Sequence, residues 1–264
     1  MDLNLSGRTA LVTGSSRGIG FETAVGLVEM GAKIIVHGRS DTSVNDALAR
    51  LEERIADADA VGIAADLGTA AGCDAVAAAH PMVDVLVNNV GIYRPEPFNE
   101  VSDETWQVYF DINVMSGVRM ARHYLKGMLE RDWGRVIFVS SESGVFIPPE
   151  MIHYGFSKAA QLAIARGLAE TTKGSNVTVN SVLPGPTWVE TQERNMGPRA
   201  KAEGRSIEEL KAEIFATRRQ SSLLQRYETP DEVANMICYA CSPAASGTNG
   251  ASLRVEGGIV RNFV

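Results

Sequence analysis

The sequence has few cysteines, few aromatic residues and no surplus of positive charge. Only Cys73, Cys238 and Cys241 occur in 264 residues, and an odd number this small makes no disulfide framework. Cys238 and Cys241 form a C-x-x-C, but within "DEVANMICYACSPAA", which reads as an amphipathic helix following "TP". Two readings stand for the pair: small buried hydrophobes, or a redox couple without the turn chemistry that usually follows one. A net charge of -7 argues against a broad nucleic-acid surface. No apolar run approaches the ~20 residues a membrane-spanning helix requires. The start, "MDLNLSGRTALV", lacks the basic-then-apolar order of a secretory signal. A cytoplasmic chain with neither membrane nor nucleic acid as partner is the expectation.

What is present is an alternation. Apolar, β-rich runs fall at 9–13, 33–37, 61–65, 84–88, 135–140, 176–182 and 251–255. Helical patterns lie between them, near 19–30, 42–56, 69–79, 103–130, 152–173 and 230–241. Several strands are continuous Val/Ile/Leu runs, as in parallel sheets covered on both faces. Strand–helix alternation over the whole chain predicts one doubly wound, Rossmann-type α/β domain, 1–264, with a seven-stranded parallel sheet flanked by helices. One segment, about 186–224, breaks the rhythm. It is polar, with one short helix expected in "SIEELKAEIFATRR", and reads as a lid insertion too polar to form core.

After the first strand comes "TGSSRGIG", with Gly14, Gly18 and Gly20 leading into a helix. Glycine lets backbone approach a pyrophosphate, and the N–H groups of a helix start face it. The spacing is G-x-x-x-G-x-G, which fails the G-x-G-x-x-G pattern strictly, so a plain turn remains the alternative on this motif alone.

Further motifs stand downstream: "NNVG" (88–91), Asn113 in "FDINVMSG", Ser141, "YGFSK" (154–158) and "PG" (184–185). In this order and spacing the chain resembles the short-chain dehydrogenase/reductase family along essentially its whole length. One departure is Val90, where the family commonly has Ala. The resemblance implies a catalytic set of Asn113, Ser141, Tyr154 and Lys158, with Tyr154 as general acid or base. Ser141, not Ser140, has the family's spacing to the tyrosine. Tyr154 and Lys158 are four apart on a predicted helix and share a face, so the ammonium is expected to lower the phenol pKa. Lys158 is further expected to reach the cofactor ribose, and Asn113 to hold a water that links Lys158 to solvent.

The resemblance also implies a dinucleotide site built from Gly14, Ser16, Arg17, Gly18, Ile19, Gly20, Asp66, Leu67, Asn88, Gly91, Pro184, Gly185, Thr187 and Val189, with Tyr154 and Lys158. The second strand ends "IIVHGRS": Gly38 stands where NAD-using relatives carry an acid, and Arg39 follows. Arg39 and Arg17 suit a 2′-phosphate, so NADP(H) is the expected cofactor, with NAD(H) the other nucleotide such a fold takes.

Ser143, Val145, Met151, His153 and Trp188 are the candidate substrate-pocket residues, and Glu142 and Glu150 stay unassigned. The expected activity is hydride transfer between NADP(H) and a small carbonyl compound or secondary alcohol. Two alternatives stay open: a 3-oxoacyl-[acyl-carrier-protein] reductase, and a catalytically silent NADP-binding regulatory protein. An acyl-carrier protein is acidic, and only Arg131 and Lys173 stand near the positions where a basic docking face is expected. The resemblance also implies a homotetramer.

Overall fold

The computed structural model describes residues 1–262. All seven expected strands form: β1 (Thr9–Val12), β2 (Lys33–Gly38), β3 (Ala60–Ala64), β4 (Val85–Asn88), β5 (Gly134–Val139), β6 (Val177–Pro184) and β7 (Ser252–Val255). They pair in parallel, in the order β3-β2-β1-β4-β5-β6-β7. The helices are α1 (Gly18–Glu29), α2 (Asp41–Arg54), α3 (Ala70–Ala79), α4 (Asp103–Tyr109), α5 (Ser116–Glu130), α6 (Ile152–Thr171), α7 (Glu190–Glu203), α8 (Ile207–Thr217) and α9 (Pro230–Cys241).

The continuous apolar strands feed two cores at once, because successive side chains point to opposite faces. Ala10, Val12, Ile34, Val36, Val85 and Val87 meet Phe21 and Leu27 of α1, Leu51 of α2, and Val233 and Ile237 of α9. Their neighbours Leu11, Ile35 and Leu86 meet Val76 of α3, Met120 and Met128 of α5, and Ala165 of α6. Cys238 and Cys241 are buried free thiols in the first core and Cys73 in the second. Burial pushes the Cys238 thiol up to about 12 and raises Cys241 as well. Both stay protonated, so the buried-hydrophobe reading holds.

The strand order reverses direction between β1 and β4. The loops that follow these two strands open there, at the carboxyl edge where doubly wound sheets take their ligands.

Two stretches differ from expectation. The helical pattern over 103–130 is broken by a π-turn, Phe110–Met115, between α4 and α5. A hydrophobic period cannot register one extra residue per turn. The polar segment holds two helices, not one. The unexpected one, α7, carries Gly197 and Pro198 and buries only Met196 and Ala200. The segment also makes a small core of its own, which corrects the expectation that it forms none. Leu210 and Phe215 are 0% and 2% exposed, and Trp188, Ile207, Ile214 and Tyr227 pack around Met196, Ala200 and Leu210.

Candidate active site

The glycine turn is bare for geometric reasons. Gly14 and Gly18 have φ of +66° and +55°, values other residues rarely adopt. A Cβ on Gly20 would stand 2.5 Å from Asn89 Nδ2 and from the Gly14 carbonyl. That amide ties the turn to β4, donating to the carbonyls of Thr13 and Gly14 at 2.9 and 3.1 Å. His37 holds the turn from β2. Its Nδ1 accepts from Gly14 N at 3.0 Å, and Nε2 lies 3.1 Å from the Ala65 carbonyl. A carbonyl only accepts, so the ring proton is on Nε2. Burial lowers the imidazole pKa from 6.5 to about 4. Sequence reasoning missed His37; its signal was one polar ring ending the apolar run "KIIV".

Around this turn the cofactor candidates separate. Arg17 and Arg39 are exposed at the rim, and among the described residues neither forms an ion pair. A Cβ on Gly38 would lie 2.7 Å from Ser43 Oγ and 3.6 Å from Ser16 Cβ. A larger side chain there would press on these two serines and on Val44 Cγ2 at 3.0 Å, and Arg39 follows it in sequence. Asp66 is exposed, with Oδ1 accepting from Gly68 N at 3.0 Å. Leu67 is a correction: its side chain belongs to the second core, which leaves only its backbone to meet a ligand. Asn88 is another. It shares the inward face of Leu86 and lies beside Gly117 at the start of α5, buried, with its amide unpartnered among the described residues. Asn89 faces the cleft in its place.

A cavity of about 510 Å³ opens beside the turn. Ile19, Gly91, Ser141, Ser143, Met151, Tyr154, Lys158, Pro184, Gly185, Thr187 and Val189 are among the residues that line it. Thr187 Oγ1 donates to the Gly185 carbonyl at 3.0 Å. Val189 reaches over Gly18, with Cγ1 3.2 Å from where a Cβ would be. The backbone cradle and this lining fit a dinucleotide.

Within the cavity wall, Tyr154 and Lys158 sit one turn apart on α6. Lys158 Nζ lies 5.7 Å from the centre of the Tyr154 ring. It donates to the Val139 carbonyl at 2.8 Å and to Gln161 Oε1 at 3.2 Å. Burial lowers its pKa to about 7. The expectation that the ammonium lowers the phenol pKa is corrected. Burial raises the Tyr154 pKa, the Glu142 carboxylate raises it further, and the hydrogen bond with Ser141 opposes both. Ser141 Oγ donates to Glu142 Oε2 at 2.5 Å and accepts from Ser143 N at 3.1 Å. Glu142 is itself buried, its carboxyl pKa raised by desolvation against the pull of Ser141 and Arg219; Arg219 lies 3.8 Å away. Asn113, on the π-turn, is fully buried. Its Oδ1 accepts from Ile92 N at 2.8 Å, and Nδ2 donates to the Ile92 carbonyl and to Ser157 Oγ. Its own carbonyl accepts from Gln161 Nε2 at 2.5 Å.

Three pocket candidates are not brought to the cavity. Val145 is 42% exposed and outside the cavity lining. His153 is buried against Tyr109, ring centres 4.4 Å apart, and Trp106, because adjacent helical residues point about 100° apart. Trp188 packs edge-on against Tyr227, with Lys211 over its ring. The cavity instead takes Tyr93, Glu142, Gln192, Asn195, Arg218 and Arg219, which sequence reasoning had left unassigned or missed.

Residues 8–198 match the family model described as short chain dehydrogenase. The chain belongs to that family. An oxidoreductase of Bacillus subtilis described as uncharacterized, YvaG, is 43% identical over 262 residues, covering 99% of each chain. A 3-oxoacyl-[acyl-carrier-protein] reductase of Synechocystis is 32% identical, covering 97% of this chain and 98% of the relative. Among solved structures, the L-sorbose reductase of Gluconobacter frateurii, complexed with NADPH and L-sorbose, superposes with a TM-score of 0.93 at 30% identity over the whole of both chains. The short-chain dehydrogenase assignment makes the chain an oxidoreductase. Among its described residues no helix is long and apolar enough to cross a membrane, and no group of His, Cys, Asp and Glu could hold a metal.

Proposed function

We propose that this short-chain dehydrogenase reduces a small, polar carbonyl compound with NADPH, or oxidises the corresponding secondary alcohol. The observation that carries it is the meeting of Ser141, Tyr154 and Lys158 in the lining of one cavity that opens beside the glycine turn at Ile19. NADPH, when bound, supplies the hydride. Gly14, Gly18 and Gly20 with the α1 N-terminus take its pyrophosphate, Arg39 and Arg17 its 2′-phosphate, and Lys158 its ribose. Tyr154 hands its proton to the carbonyl oxygen. Its raised pKa keeps the phenol protonated at neutral pH, the form reduction needs. Ser141 turns its single O–H from Glu142 to the same oxygen and holds it in place, and Asn113, tied to Ile92 and Ser157, presents its carbonyl to Gln161.

Glu142, Gln192, Asn195, Arg218 and Arg219 in the cavity lining support a polar substrate, beside apolar Met151, Met196 and Ile214. The likeness to an L-sorbose reductase complex points the same way. The acyl-carrier reading is weaker. Arg131, one of its two stand-in cations, donates to the Val83 carbonyl and pairs with Asp84. Asp132 and Asn176 bond each other where that face would lie. The working form we propose is a cytoplasmic homotetramer, a state that light scattering reads directly.

NADPH oxidation over a panel of ketoses, 3-oxo acids and 3-oxoacyl thioesters tests the reading. Turnover is expected among the ketoses. Tyr154→Phe is expected to abolish it and leave cofactor binding intact. More than a tenth of the parent activity in that variant contradicts the role given to Tyr154.

A further inference from the structure

Gln161 lies seven residues beyond Tyr154 and three beyond Lys158 on α6, and is 1% exposed. Its amide has one orientation that serves both neighbours. An ammonium only donates and a backbone carbonyl only accepts. Oε1 therefore faces Lys158 Nζ at 3.2 Å, and Nε2 faces the Asn113 carbonyl at 2.5 Å. That carbonyl belongs to the π-turn, whose wider coil departs from the α-helical ladder.

We propose that Gln161 is a positioning residue whose amide fills the gap a water would otherwise bridge between Lys158 and the Asn113 carbonyl, fixing the ammonium beside Tyr154. The proposal rests on the reading of Lys158 as the residue that holds the cofactor ribose. Of three ammonium N–H groups, one goes to Val139 O and one to Gln161 Oε1. The third is left for the cavity that Lys158 lines. Without Gln161 the buried ammonium keeps a single protein acceptor. Few other groups hold its charge. On its own helix Tyr154 is the titratable group beside it, since His153 packs on Tyr109 and Trp106 and Arg166 pairs with Glu170, and Glu142 lies beyond Ser141. The β5 end, the β4 loop and the π-turn present Val139, Gly91 and Asn113, none of which titrates. Lys158 is already lowered to about 7 by burial, so a lost acceptor lowers it further.

Two variants separate an amide from a water. Gln161→Met keeps the length and loses both hydrogen bonds. Gln161→Ala opens room for water between the same two groups. Thermal melting reports the folding of each, and NADP affinity is measured at pH 5.5 and pH 8 for both variants and for Lys158→Ala. If only charged Lys158 binds NADP, each pKa unit lost weakens binding about ninefold at pH 8 and hardly at pH 5.5. Gln161→Met is expected to show that pattern. Gln161→Ala is expected to return to within about threefold of the parent, because water restores the acceptor. A Met variant that matches the parent at both pH values overturns the proposal. So does an Ala variant at least as weak as the Met variant. Unchanged NADP affinity in Lys158→Ala overturns the cofactor reading and this proposal together. Weakened binding in Lys158→Ala beside an unaffected Gln161→Met overturns this proposal alone.

Discussion

Replacing His37 by glutamine keeps both hydrogen bonds and removes the titration. Glutamine Oε1 can accept from Gly14 N as Nδ1 does, and its Nε2 can donate to the Ala65 carbonyl as the imidazole does. The native imidazole is 1% exposed, and burial lowers its pKa from 6.5 to about 4. The unfolded chain therefore binds this proton more readily than the native one. Stability from His37 is complete above about pH 6.5 and is lost as pH falls toward 4. At about 1.4 kcal/mol per unit, the full loss is at most about 3.5 kcal/mol, of which roughly 2 kcal/mol is gone by pH 5. Urea unfolding of parent and His37→Gln at pH 7.5 and pH 5 measures it. Other groups titrate alike in both proteins, so they cancel in the difference. The parent is expected to lose roughly 2 kcal/mol more than the variant on acidification. Parallel losses would refute a neutral, buried His37. A third protein, His37→Leu, leaves Gly14 N–H and Ala65 C=O unpaired. It is expected to cost about 1–3 kcal/mol per group and to weaken NADP binding, because the turn loses its anchor on β2.

NADPH is expected to bind more tightly than NADH, and Arg39→Asp to shift preference toward NADH; equal dissociation constants in the parent refute the roles of Arg39 and Arg17. The α7–α8 pair is expected to behave as a lid. Amides in 188–222 should exchange faster than those of α6 in the free protein and slow when NADP and a substrate analogue bind together. Equal protection with and without ligands makes the pair a fixed wall.

The sheet was legible because each strand is a short apolar run bounded by polar turns, and because the glycine turn marks where β1 meets α1. What escaped needed the phase of an element, not its existence. Asn88 and Asn89 are adjacent, and only the alternation along β4 says which one turns inward: Asn88 follows Leu86 toward α5, and Asn89 leaves the strand for the cleft. The same phase was there to be read on α6. Tyr154, Lys158 and Gln161 stand at i, i+4 and i+7, one face of a helix, while His153 points toward α4. A third polar residue on the tyrosine–lysine face was therefore visible in the spacing. The partner on the far side was not. The Asn113 carbonyl reaches Gln161 from a π-turn 48 positions away in the chain, and no local pattern announces that turn. His37 and Gly14 are likewise 23 positions apart, and Arg219 comes to Glu142 from the end of α8. Chemistry confined to one helix face can be read from spacing alone. Chemistry completed by a carbonyl or a guanidinium from another element waits on the packing that brings the two together.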